Sequence, residues 1–383
     1  MFRSQTQALR RGNITVLAAF MSMAMVGMVA FSVDIGYVLS AKEEMQRSAD
    51  AAALAACWEY GQQLANGSSA SSSVTAARTK AQNCVNLNAI ANATPTVDLN
   101  TNNATTGDVV FGYINDLNNP NAAFDTSDPS LYNAVRVRVR KEEGSNGQVP
   151  FFFAKVFGLQ GQSLKAEATA GIVRNISGWR TPASGGNLQI LPYALDVDTW
   201  NSMLAGSGPD TYRWTEATGA VTSGSDGKRE MNLFPQGTGS PGNRGTVDIG
   251  SSNNSTADIA RQIVYGISPA DLAYHGGELK FNSCGYLNLN GDTGISAGVK
   301  DEFASIIGQK RIIPIFENVT GPGNNAIYKI VQWAGVRILA VKLTGAMNQK
   351  YVMIQPAPLT STGVIQSSSG GSSYVYSPAI LYK

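Results

Sequence analysis

The side chains best suited to chemistry are few and scattered. His275 is the single histidine, so histidine metal sites and acid–base dyads have almost nothing to draw on. It sits in the turn-like run Tyr274-His275-Gly276-Gly277, and no Gly-x-Ser-x-Gly elbow exists to supply a nucleophile beside it. Gly237-Thr238-Gly239-Ser240-Pro241-Gly242 spells a phosphate-cradling GxGxxG. That motif works only between a strand and a helix, where backbone N–H groups converge on the anion. Here Pro241 and Asn243 continue a turn, in a chain of 40 glycines. Asn288, Asn290 and Asp292 alternate like the first ligands of a calcium loop, but the twelfth position, which needs an acid, is Val299. A hairpin turn at Asn290-Gly291-Asp292 is expected instead. No pair of carboxylates is flagged for glycoside chemistry. No catalytic, cofactor-binding or metal-binding residue is assigned, and the chain is not expected to be an enzyme.

Two other groups carry physical meaning. Of the three cysteines, Cys57 and Cys84 close a short loop and could form a disulfide, with Cys284 left over; the pairing itself is not readable from spacing. Arg136, Arg138 and Arg140 alternate with Val135, Val137 and Val139. The valines face a core, and the arginines are expected on a solvated face, an anionic partner being the alternative.

These residues must be positioned by elements that the composition already constrains. Charged residues make up 15% of the 383, against roughly 25% in ordinary soluble domains. The 29 Lys and Arg nearly balance 27 Asp and Glu, so no basic stripe argues for nucleic acid. Abundant Gly, Ser, Thr and Asn suit strands joined by turns.

The N-terminus is the most informative segment. Residues 1–13 hold Arg3, Arg10 and Arg11 and no acid, a cytoplasmic basic tail. Residues 14–33 form an uncharged run of about 30 Å as a helix, which matches a bilayer core. A cleaved secretory signal would have a shorter apolar region with a small-residue site just beyond. The box-like Leu54-Ala55-Ala56-Cys57 instead lies behind Asp34, Lys42, Glu43, Glu44, Arg47 and Asp50, so an uncleaved anchor is expected. Residues 34–66 continue the helix outside the membrane. Ala18, Ser22 and Gly27 are candidates for packing against other helices in lipid. Ala49, Ala52, Ala53 and Ala56 form a small-residue face on the extension. It serves either the chain's own head or a neighbouring subunit, and spacing does not choose.

Arg11-Gly12-Asn13, the apolar span, Val33-Asp34-Ile35-Gly36 and the run Met45 to Ala56 (MQRSADAAALAA) together resemble the N-terminal signature of TadE/TadG-like proteins. These belong to the tight-adherence (Flp) pilus assembly system of bacteria and are similar to pseudopilins. A second block also resembles that family: a Val-rich strand, a Phe-rich segment ending at Phe157-Gly158, and the Ala-Thr-Ala strand near 168–170. The pattern departs from type IV prepilins, where a Glu stands five residues after the cleavage glycine; counting from Gly12, Leu17 stands there. Full-length TadG proteins carry a von Willebrand factor A-type domain with a DxSxS metal sequence. Asp248-Ile249-Gly250-Ser251-Ser252 is the nearest match, with Gly for the first Ser, and no βαβ pattern surrounds it. The C-terminal half is therefore expected to be a shortened β-rich variant, similar to those of planctomycete-type bacteria.

Residues 67–106 are expected to be a helix end and irregular chain. Residues 67–173 form a first β-rich head domain, 174–187 a hinge, and 188–383 a second β-rich domain. The Phe151-Phe152-Phe153 triplet is expected to be buried or part of a short helix ending at Gly158. The fold class is α+β, a long N-terminal helix followed by a mostly β extracytoplasmic region. The resemblance implies a structural component of a Tad/Flp-type pilus or secretion apparatus. Its partners would be other assembly proteins, met through the helix. The alternatives are a membrane-tethered binding or adhesion protein and, less favoured, an anchored hydrolase.

Overall fold

A computed structural model describes residues 14–65, 68–234, 244–292, 297–321, 323–367 and 371–382. The basic tail of residues 1–13 and the glycine motif at 237–242 lie outside the described residues. The span and its extension form one continuous helix, α1 (Ile14–Ala65, 52 residues). It is followed by α2 (Ala70–Asn86), where irregular chain was expected. That helix is hard to read because its inward stripe is Ser73, Ala77, Ala81 and Val85, with only Val85 strongly apolar. Its periodicity is nonetheless 4, its N-cap is Ser69, and its anchor is the buried Arg78.

Strand β1 (Val109–Gly112), β2 (Ala134–Lys141) and β3 (Leu164–Gly171) form an antiparallel sheet against the two helices. Its core joins Met45 and the alanine face of α1 to Val85, Phe111, Val135, Val137 and Val139. At the far edge of β3 the C-terminal residues Ile380–Leu381 add a short strand.

The expected hinge is ordered structure: β4 (Ile176–Arg180) pairs with later chain and buries Trp179. A larger sheet contains β5 (Tyr193–Asp196), β6 (Arg244–Val247), β7 (Leu287–Asp292), β8 (Lys310–Thr320), β9 (Ala326–Lys342) and β10 (Tyr351–Pro356). Pairings β9–β7, β7–β6, β6–β5, β5–β8 and β8–β9 return to their start. Five strands thus close into a small barrel, a route that leaves few exposed edges. The 17-residue β9 is bent by a register shift between Ile338 and Ala340. Asn290-Gly291-Asp292 is not a turn but the end of β7, flanked on both sides. A Cβ at Gly291 would meet the Thr246 carbonyl at 2.1 Å, so glycine is required there by close strand approach.

Helices Val197–Leu204, Thr256–Tyr265, Pro269–Tyr274 and Lys300–Ser305 decorate the barrel. Ser255 with Asp258, and Ser268 with Asp271, form capping boxes that start two of them. The central core runs from Ile114 and Val173 through Trp179 to Trp333, so the head's two expected domains share buried residues.

Candidate membrane and assembly surface

Residues 14–33 of α1 carry large side chains that the rest of the chain leaves uncovered, and the most apolar window of the helix is entirely unburied. It is one helix long and apolar enough to cross a membrane. The Ser22 hydroxyl donates to the Ala18 carbonyl at 2.8 Å, which satisfies it within the helix. Ala18 and Ser22 therefore share a face. Gly27 is turned by about 140° from Ser22 at 100° per residue, so the helix does not bring all three together.

Just past the apolar run, Asp34 is buried, although its helix is otherwise uncovered at this level. Its carboxylate accepts from the backbone N–H groups of Phe152 (2.6 Å), Phe153 (3.1 Å) and Ala154 (2.7 Å). These amides begin a single helical turn, Ala154–Phe157, that closes on Gly158 in the left-handed conformation. An anionic cap suits exposed N–H groups at a helix start. Burial pushes the Asp34 carboxyl up, but the three N–H donors and nearby Lys155 outweigh it and hold it below its ordinary value. The short helix ending at Gly158 is as expected, but the burial is not: Phe152, Phe153, Val156, Phe157 and Leu159 are all exposed. The turn is too small to fold over its own apolar side chains.

Further along α1, Ala49, Ala52, Ala53 and Ala56 are fully buried against β2, β3 and α2. The chain's own head occupies that face. Small side chains let the helix lie close on the sheet, and Tyr60 fixes the end of the contact by donating to the Tyr132 carbonyl. The outward face carries Leu39, Glu43 and Arg47, all exposed. Glu44 accepts from the Ala91 N–H and ties α1 to the loop after α2.

Cys57 and Cys84, which could have formed a bridge, are free thiols. Cys57 is buried in the helix–sheet core, and burial pushes its thiol up. Cys84 lies one residue off the inward stripe of α2 that ends at Val85, about 100° around the helix. Arg136, Arg138 and Arg140 also depart from expectation: they are mostly covered and paired within the chain. Arg136 and Arg138 share Glu167 at 3.2 and 2.5 Å, Arg140 donates through Nε to Asp108 at 2.7 Å, and Arg136 stacks on Phe124.

His275 caps a helix end, and its Nε2 accepts from the Gly250 N–H at 3.3 Å. Burial lowers its pKa, keeping the neutral acceptor form. Asp248 accepts from the Asn254 N–H at 3.0 Å and is held within the barrel wall. Among the described residues, no group of three or more His, Cys, Asp or Glu is placed to hold a metal ion. A cleft of about 590 Å³ separates Trp58 and Gln62 of α1 from the barrel. It is lined by Lys228, Lys310, Arg337 and Glu216, with Arg337 stacked on Trp214 at 3.7 Å.

Comparison with known families places the similarity on the helix and its sheet. Residues 12–65 match the model of the Tad family, described as Flp pilus-assembly TadE/G-like. Residues 43–170 match that of a Tad-like Flp pilus-assembly family. No curated protein and no solved structure matches the chain. The two matched regions coincide with the anchor, the alanine face and the sheet β1–β3; the barrel lies outside both.

Proposed function

From its TadE/TadG-like anchor and first sheet, we propose that this chain is a non-catalytic structural component of a Tad/Flp-type pilus or secretion apparatus. It would sit in the bacterial inner membrane by one helix, with the short basic tail in the cytoplasm and the head outside. Lateral contacts of α1 with partner helices would assemble it. The observation that carries this reading is the division of labour along α1. Its apolar third is bare, its alanine face is filled by the head, and the outward face of the extension is left for other chains. Association in lipid draws on small residues and close packing, for which Ala18 and Ser22 are the candidates. Three arginines before the span, with no Lys or Arg in residues 34–41, support the orientation.

Cross-linking in native membranes tests the proposal, using single cysteines at Leu39, Glu43 and Arg47 on the outward face. Capture of Tad-type pilins or platform proteins is the expected result. Recovery of only uncross-linked monomer in cells that assemble the apparatus would count against it.

The barrel supports a second reading, a membrane-tethered binding or adhesion protein, because it lies beyond the matched residues and carries the cationic cleft. Exchanging residues 14–33 for an unrelated apolar helix separates the two. Tethering survives the exchange, whereas assembly through Ala18 and Ser22 does not.

A further inference from the structure

The Phe-rich turn has five exposed apolar side chains and a place in the fold that fixes its height above the membrane. Phe152, Phe153, Val156, Phe157 and Leu159 lie on one short connection, with Val156 and Phe157 about as exposed as residues can be at 85% and 84%. A run of this kind left in water would be unusual for a folded head. Three consecutive backbone amides of this connection are held by Asp34, the first residue after the uncharged run that ends at Val33. Phe152 also packs edge-on against Tyr37, at 4.9 Å between ring centres. The turn is thereby clamped to α1 at the level where the apolar span stops, and its exposed apolar surface continues that of the span. Lys155 sits among these side chains and is itself exposed, an arrangement suited to phosphate headgroups above a buried stem. Phe and Leu are among the side chains that interface-lying segments bury at the headgroup–acyl boundary.

We propose that the turn Phe151–Leu159 is a second membrane contact, dipping its apolar side chains into the outer interface of the bilayer that α1 crosses. The proposal rests on the anchoring of α1. The Asp34 clamp and the inserted turn hold the head at a fixed tilt and height, where a lone helix would let it swing.

The test uses the full chain in liposomes, with Cys84→Ser and Cys284→Ser leaving only the buried Cys57. An environment-sensitive fluorophore is attached at Phe157→Cys in one variant and at Met23→Cys in another. The Phe157 position tolerates the change because its side chain touches little of the protein. Lipids carrying nitroxides near the headgroup should quench the Phe157→Cys label several-fold more than aqueous iodide does. Iodide quenching without nitroxide quenching would put the turn in water and overturn the proposal. Protection from both quenchers would mean a protein cover, such as a second copy, and would also overturn it. The Met23→Cys label reports the anchor separately. If deep nitroxides quench it while the Phe157→Cys label stays in water, only the turn proposal fails. If they do not, the anchor reading fails as well.

Discussion

Arg78 shows how much of the first layer hangs on one side chain. Its guanidinium is buried and donates to the carbonyls of Leu99, Asn100 and Val109 and to Asn103 Oδ1. A turn-rich segment without regular structure of its own is thereby fastened to α2. Burial lowers the Arg78 pKa but leaves the side chain charged at any physiological pH. Arg78→Met should remove all four bonds and strand buried carbonyls, at a cost of about 3 kcal/mol. Urea unfolding of the detergent-solubilised chain would measure it; a change near zero would mean the loop is held by other contacts. Asp34 makes a pH-dependent contribution of the same kind. Its pKa in the folded state is lowered from 3.8, so the clamp is fully present above that ordinary value. It is lost as pH falls through the lowered value. The amide proton resonances of Phe152, Phe153 and Ala154 should move together in that acid range. In Asp34→Asn, whose amide cannot accept from all three, they should already be displaced at neutral pH.

At the scale of elements, α1 is one helix with three environments, and its sequence changes at each boundary. The apolar run needs no partner from the chain, the residues around Asp34 hold the Phe-rich turn, and the alanine face lies on the sheet. Ala52→Leu should overpack that contact and cost about 1–3 kcal/mol. Ala19→Leu, on the uncovered span, should leave head stability unchanged. Thermal unfolding of both variants checks the difference, and equal effects would argue that the head does not depend on the alanine face. The solvated arginine face gives way, and the cysteines stay apart, for a related reason. Residue types set what a side chain can do, but rotation about α2 and the partner strand decide what Cys84, Arg136 and Arg138 meet.

For the whole molecule, the chain's return matters most. Ile380–Leu381 pairs with β3, Tyr382 donates through its N–H to Thr169, and its hydroxyl donates to Asn119 at 2.6 Å. Residues near the end thus seal the edge of a sheet built by residues 109–171. Deleting residues 379–383 should speed hydrogen exchange at Gly171, which pairs with Ile380, by tenfold or more, with the barrel amides unchanged. Equal protection in the shortened chain would make the tail strand dispensable. Together with the shared core around Trp179 and Trp333, this crossing ties the chain on the two sides of residues 174–187 to each other. Composition marks a linker by its Gly, Ser and Pro, yet Ser177 and Gly178 lie within β4, whose partners arrive some 100 and 185 residues later.

By itself the sequence determined the properties that depend on near neighbours. The uncharged run, the helix that carries it outward, the alanine stripe, the alternating valines of β2 and the TadE/TadG-like character are all written in spacing over a few turns or strand residues. Tertiary structure alone decided what depends on distant chain. It ordered α2 by lending its weak stripe a partner. It gave the arginines of β2 acids from two other segments, and it closed the barrel through a parallel pairing of β5 with β8. It also left the Phe-rich turn uncovered while fastening it to Asp34, more than a hundred residues earlier. Hydrophobicity predicts that a side chain will leave water; only the assembled fold determines whether protein is there to receive it.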